Sequence, residues 1–316
     1  MSWNVDELKS LLNCIKSLPS TSAVCSDIDC LNYMISCLDH DWKYEHSSIN
    51  DSERRERIIN FMNKNYDFLK NTLVGFCDLK VAPKNWFVKQ LKPNDFERNV
   101  KGFLEEYDYN MSREYRDLKN KSRLLFANQK FPNTTASGIT FPICTTGNCY
   151  VGVIRSNNVH QSSTLIHEIG HVYQLEGMTD YDCVSRILSS VWSETFPLFL
   201  EKAYADFLKK IGYRKLGLSL EYHLLDSFLA NVDCFYELYF HRNKVDDYEI
   251  SRLFSGFLSS YFLNEYRKNP DKAKEIVDSF NSMIGRKDDI EILESFDSSE
   301  VFNAPKTLIN NYYRTR

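Results

Sequence analysis

Ser162-Ser163-Thr164-Leu165-Ile166-His167-Glu168-Ile169-Gly170-His171-Val172-Tyr173 carries two imidazoles four residues apart, with a carboxylate beside the first. Leu165, Ile166, Ile169, Val172 and Tyr173 supply the apolar stripe of a buried helix face. The stretch therefore reads as a helix, with Ser162 or Ser163 as its cap and Gly177 as its stop. Side-chain direction repeats about every 3.6 residues, so His167 and His171 share one face and can both turn a ring nitrogen toward one cation. Glu168 then projects toward the place of a water beside that cation. His-Glu-x-x-His on a helix is the spacing that binds zinc and uses the glutamate as general base. Gly170 costs such a helix roughly 1 kcal/mol against alanine, which predicts a close backbone approach at that turn.

A catalytic zinc needs a third protein ligand and one position left for water. A third histidine six residues after His171 is excluded, because Gly177 stands there. Glu176 faces away on the same helix, and Asp180 and Asp182 fall in the turn after it. Glu194 opens the next helical stretch, Ser193 to Glu201, and a helix running back there brings its carboxylate over the histidines. Glu194 is thus the expected third ligand. Pro197 removes one backbone bond, which predicts a helix start near Ser193 or a kink. Glu201 lies seven residues after Glu194, about 10 Å further along the same stripe. It reads either as the acid that holds the far nitrogen of a liganding histidine or as an ordinary exposed glutamate.

These residues, Thr164-Leu-Ile-His167-Glu168-Ile-Gly170-His171 followed by Glu194 and Glu201, resemble the oligoendopeptidase F and thimet oligopeptidase family of zinc metallopeptidases. The resemblance covers roughly residues 100 to 316 and is centred on the metal motif. It implies a mainly α, zincin-like fold with a small β-hairpin or sheet beside the active-site helix. It also implies one Zn2+ per chain held by His167, His171 and Glu194, Glu168 as catalytic base, Glu201 as supporting acid, and cleavage of short peptides. Family members place tyrosines on a C-terminal helix over the metal, where a hydroxyl can donate to a developing oxyanion. The corresponding stretch is Phe254 to Tyr266, which makes Tyr261 the candidate, with Tyr248 and Tyr266 behind it; in a chain with 19 tyrosines the other reading of Tyr261 is core packing. Gln174 stands where the family usually has another histidine, and the chain is about half the usual family length.

Ile139-Thr-Phe-Pro-Ile-Cys144 and Cys149-Tyr-Val-Gly-Val-Ile154, on either side of Gly147-Asn148, read as a β-hairpin. Residues 149–154 are the expected edge that pairs with an extended peptide. The remaining segments, 5–18, 29–46, 53–76, 95–126, 180–211, 218–242, 246–268, 270–284 and 287–313, have helical spacing. Pro83 and Pro93 interrupt the pattern. That boundary predicts an N-terminal helical subdomain, 1–90, forming a cleft wall beside a catalytic domain, 91–316.

With 316 residues and 43% hydrophobic content, the chain can bury one large or two small cores. A net charge of −4 gives no reason to expect nucleic acid, and no stretch has membrane length. Nine scattered cysteines and the absence of a basic, apolar leader predict reduced thiols and a cytoplasmic protein. Cys25 with Cys30, or Cys144 with Cys149, are the pairs open to an exported chain. The rival from another class is a non-catalytic helical binding protein that keeps the zinc as a structural element. It requires Glu194 turned away or a fourth protein ligand closing the site. A di-iron bundle would need a second Glu-x-x-His, and the sequence has none.

Overall fold

The computed structural model describes residues 3–39, 42, 51–76, 79–81, 93–156, 158–241 and 247–314. In chain order its elements begin with α1 Val5–Lys16, α2 Ser22–Ser36, α3 Asp51–Lys64, α4 Tyr66–Val74, α5 Pro93–Tyr107 and α6 Tyr109–Asn120. Three strands follow, β1 Leu124–Ala127, β2 Gly138–Ile143 and β3 Asn148–Ile154. The rest is helical: α7 Val159–Leu175, α8 Tyr181–Ser189, α9 Thr195–Lys210, α10 Arg214–His241, α11 Asp247–Lys268, α12 Pro270–Met283, α13 Asp289–Glu294 and α14 Ser298–Arg314. The mainly helical fold with one small sheet is the one the sequence predicts. No described helix is long and apolar enough to cross a membrane.

The long helical segments are cut where side chains can cap the backbone. The stretch 95–126 is two helices, because Asp108 leaves helical geometry and its carboxylate accepts the Asn110 N–H at 2.7 Å. Ser122 then takes a left-handed φ of 53°, and Leu124 to Ala127 leave the helix to form β1. A four-residue apolar run against a helical segment has no period of its own, so its strand pairing is invisible to spacing. Helices also break at Asn65, between Ser189 and Thr195, and between Glu294 and Ser298. Of the expected helix 29–46, residues 40–41 and 43–46 lie outside the described residues, as does much of the stretch around Pro83.

The chain forms two compact units, Met1–Ile49 with Lys89–Val184, and Asn50–Val88 with Ser185–Arg316. In the first, the sheet order is β1-β3-β2, with β3 parallel to β1 and antiparallel to β2. The expectation that residues 149–154 offer a free edge is therefore corrected: β3 is the central strand, with a partner on each side. Among the described residues the edge strands are β1 and β2. Ile139, Phe141 and Ile143 of β2 turn toward α1 and α2, joining Leu8, Leu12, Leu31 and Met34 in one apolar cluster. Gly138 and Thr140 lie on the alternate face, toward α7.

The hairpin turn is fastened rather than merely short. Buried Asp27 accepts the N–H groups of Cys144 and Thr145 at 2.8 and 2.7 Å. Gly147 has a φ of +68°, where a side chain would be strained. Cys25, Cys30, Cys144 and Cys149 are all free thiols.

The second unit is built on α9 and α11, each of which packs against α10, while α12 and α14 cover α11. Its core is aromatic, with Phe61 edge-on to Trp192 at 5.3 Å and Phe228 edge-on to Phe257 at 5.1 Å. Each such ring, once buried, contributes about 1.5–3 kcal/mol from area alone.

Candidate metal centre

The helix that carries the motif is α7, and it is held at both ends. Its cap is Asn158, whose side-chain oxygen accepts the His160 and Gln161 N–H groups at 2.9 and 3.2 Å. The expected caps Ser162 and Ser163 lie inside the helix, where the Ser162 hydroxyl donates to the Val159 carbonyl at 2.8 Å. At the other end Gly177 turns left-handed, with φ +82°, and its N–H donates to the Gly147 carbonyl at 2.7 Å. Glu176 closes the helix and accepts Arg123 Nη1 at 2.7 and 2.9 Å and the Cys149 N–H at 2.8 Å. The same Arg123 nitrogen donates to the Cys149 carbonyl at 3.1 Å.

Arg123 is only 3% exposed, so Glu176→Ala would strand a buried guanidinium. The expected cost is about 3–5 kcal/mol of stability, read from urea unfolding. A loss below about 1 kcal/mol would show that the pair does not hold α7 to the sheet.

Between these anchors the rings of His167 and His171 lie 5.0 Å apart at 73°, as expected of one helix face. Glu168, 5% exposed, lies against β2. The Thr140 hydroxyl donates to its Oε2 at 2.7 Å. The close approach on this side is at Gly138, where an added Cβ would stand 2.5 Å from Glu168 Oε1 and 2.5 Å from the Thr164 methyl.

Glu194 is the residue that enters α9, and its carbonyl accepts the Leu198 N–H at 3.0 Å. Pro197 is the third residue of that helix, where the missing N–H costs no helical bond, so the helix starts there without a kink. The turn before it is fixed from three directions. Asp289 accepts the Ser190 hydroxyl and the Val191 N–H, while its own carbonyl accepts Trp192 Nε1 at 2.8 Å. Ser251 and Ser255 both donate to the Val191 carbonyl at 3.1 Å. Burial pushes the Asp289 carboxyl above its usual range, although the bonds from Ser190 and Val191 oppose this.

The Tyr248 hydroxyl donates to Glu194 Oε2 at 3.4 Å, and the Arg252 guanidinium lies 5.7 Å over the Tyr248 ring. Burial works against the Arg252 charge, but Tyr248, Glu194 and Glu201 outweigh it and raise the pKa of the guanidinium. Glu201 is 8% exposed, so it is no ordinary surface glutamate. Tyr261 packs on Phe262 and Phe296. It is thirteen residues, about 20 Å of helix rise, beyond Tyr248 on α11. Burial, with Glu265 and Glu300 nearby, raises its pKa. His160 belongs to the first turn of α7, and His223 is exposed on α10.

One ligand atom each from His167, His171 and Glu194 lie within 4.8 Å of one another, a grouping that could hold a metal ion. Donors about 2.0–2.2 Å from a tetrahedral ion are mutually about 3.4 Å apart, and two imidazoles with one carboxylate are a zinc donor set. The residues fit. Sequence reasoning missed Thr140, Gly138, Arg252, Asp289 and Arg123. Only Gly138 and Asp289 lie near recognisable turn or helix-start signals, and nothing in those signals points to the site.

Lys202, the residue after Glu201, is buried, and its ammonium donates to the Gly256 carbonyl at 3.1 Å and to the Ser259 and Ser260 hydroxyls at 2.6 and 2.8 Å. Burial lowers its pKa from 10.5 to about 7, against the pull of Glu201. Between those values the unfolded chain binds a proton that the folded chain does not, so this residue makes stability rise with pH across the window. Lys202→Met should be the more stable protein at pH 7, with the difference in melting temperature narrowing toward about pH 9.5. Parallel melting profiles would contradict this.

By fold, the chain resembles two solved structures over 98% of its own length. The crystal structure of a Bacillus anthracis strain Ames protein, assigned as an oligoendopeptidase F, superposes with a TM-score of 0.57 at 13% identity and is covered over 64% of its length. That of a Chlamydophila abortus protein, assigned as a peptidase, gives 0.54 at 11% identity with 62% covered. The chain thus spans under two thirds of each, and at these identities the likeness is one of fold. No family model matches the chain, and no curated protein matches it. The chain has a peptidase-like fold.

Proposed function

We propose that this chain is a zinc-dependent endopeptidase of the oligopeptidase kind, which hydrolyses peptide bonds in short peptides. The observation that carries the reading is the pairing of a His-His-Glu donor group with a neighbouring carboxylate, Glu168, that is buried and hydrogen-bonded by Thr140. His167, His171 and Glu194 would hold one Zn2+, which when bound supplies Lewis acidity toward water and a peptide carbonyl. Glu168 accepts the proton as a water O–H bond breaks during attack, then delivers it to the nitrogen of the leaving amine. Glu201 is the supporting acid. Tyr248, whose hydroxyl reaches Glu194, takes the oxyanion-stabilising role for which the sequence suggests Tyr261. Residues 91–316 would carry the chemistry, and 1–90 would be an accessory helical part.

Peptide backbone would be read by the open edge of β2. The bond from the Ile154 N–H to the Ser137 carbonyl sets the alternation of the β2–β3 ladder, so the main-chain groups of Gly138, Thr140 and Pro142 point outward. A proline on that outward register is what an edge strand tolerates. Recognition of main chain rather than side chains suits a peptidase of broad sequence range. Neither nucleic acid nor a membrane is part of this reading.

The test is mass spectrometry of a mixed library of short peptides incubated with zinc-loaded and with chelator-treated protein. Cleavage that disappears with the metal supports the reading. No cleavage with one zinc bound per chain would favour the structural-zinc alternative. Gly138→Ala, which forces Glu168 and Thr164 to move, should lower kcat about 10- to 100-fold. A wild-type rate in that variant would show that the carboxylate position is not critical.

A further inference from the structure

Resting on the peptidase reading, we infer that Thr140 is a positioning residue for the general base. Thr140 lies in mid-strand on β2, and its hydroxyl lies 2.7 Å from Glu168 Oε2, with the Glu168 carbonyl further off at 3.3 Å. A hydroxyl has one proton to give, and the shorter contact receives it. A glutamate side chain has three rotatable bonds, so one bond to a rigid strand removes much of the freedom with which its carboxylate would otherwise swing. The strand itself is rigid: the β3 ladder lies on one side of it, and Phe141 and Ile143 are sunk in the cluster beneath. Gly138, two residues away on the same face, leaves the space in which the carboxylate lies. Strand and helix thus form a slot for one side chain, open where it has no Cβ and closed where it has a donor.

Thr140 also turns its own main-chain groups to the outer edge of β2. One residue therefore holds the carboxylate and borders the line along which an extended peptide would pair, so the base is fixed relative to the substrate backbone.

The test uses a fluorogenic peptide cleaved in the library experiment, at one fixed pH, with Thr140→Val, Thr140→Ser and Glu168→Asp. Valine keeps the shape and strand preference but removes the donor. Thr140→Val should lower kcat about 10-fold with KM and bound zinc unchanged, and Thr140→Ser should restore most of it. In the Glu168→Asp background, where the carboxylate is a methylene short of the hydroxyl, Thr140→Val should change kcat less than about two-fold, which is the coupling expected of a direct pair. A second readout needs no turnover: the 13C carboxyl resonance of Glu168 in the metal-free protein, assigned by its loss in Glu168→Gln, should move in Thr140→Val and not in Thr140→Ser.

Wild-type kcat in Thr140→Val, equal losses in the valine and serine variants, or an unmoved carboxyl resonance would each overturn the inference. If Thr140→Val does not fold, Thr140→Ala and the resonance decide. Full activity in Glu168→Gln would instead overturn the peptidase mechanism, so the two failures are distinguishable.

Discussion

Glu168→Gln is expected to retain zinc and lose turnover. Glutamine has the same shape, and its carbonyl oxygen can still accept the Thr140 hydroxyl, so α7 and the neighbouring histidines should be undisturbed. What it lacks is a basic oxygen. Removing general-base catalysis costs about 100- to 10,000-fold in kcat, while KM should change little if peptide recognition lies along β2 as proposed. Elemental analysis should find one zinc per chain in wild type and variant alike. An active variant would remove Glu168 from the mechanism, whereas an inactive variant without zinc would show only that the site had been damaged.

Removal of a ligand should behave differently. His171→Ala and Glu194→Ala are each expected to weaken zinc binding by more than about 100-fold, beyond the loss usual for residues that merely support a ligand, and activity should fall with it. The two variants should differ in kind. His171 is partly exposed on the well-anchored α7, whereas Glu194 carries charge that Arg252 and Tyr248 balance, so Glu194→Ala should also lower the melting temperature. Competition with a chromogenic chelator, run beside thermal melts, measures both. Zinc affinity in Glu194→Ala equal to wild type would exclude it as a ligand and send the search for the third donor elsewhere.

The sequence is most legible where one helix does several things at once. Histidine is rare in this chain, with 7 in 316 residues, and the apolar stripe that sets the helical period also sets the common face of His167 and His171. Glu194 opens the next helical stretch in the sequence, and it is the residue that enters α9. What escaped was contact between residues distant in the chain. Thr140 and Glu168 are 28 residues apart, Arg123 and Glu176 are 53 apart, and Ser190 and Asp289 are 99 apart, and no local period relates the members of such pairs. No local pattern discriminates among the tyrosines, because a ring at helical spacing reads equally as core packing. The central place of β3 was hidden by β1, whose four residues resemble the end of a helix.

A tight hairpin turn is ordinarily the place where a chain accepts foreign residues most readily. The turn from Cys144 to Gly147 is fastened by Asp27 on one side and, through the Gly147 carbonyl, by the end of α7 on the other. A reporter peptide inserted there would pull on the base of α7. For anyone tagging, permuting or grafting this protein, this hairpin turn is one to leave alone.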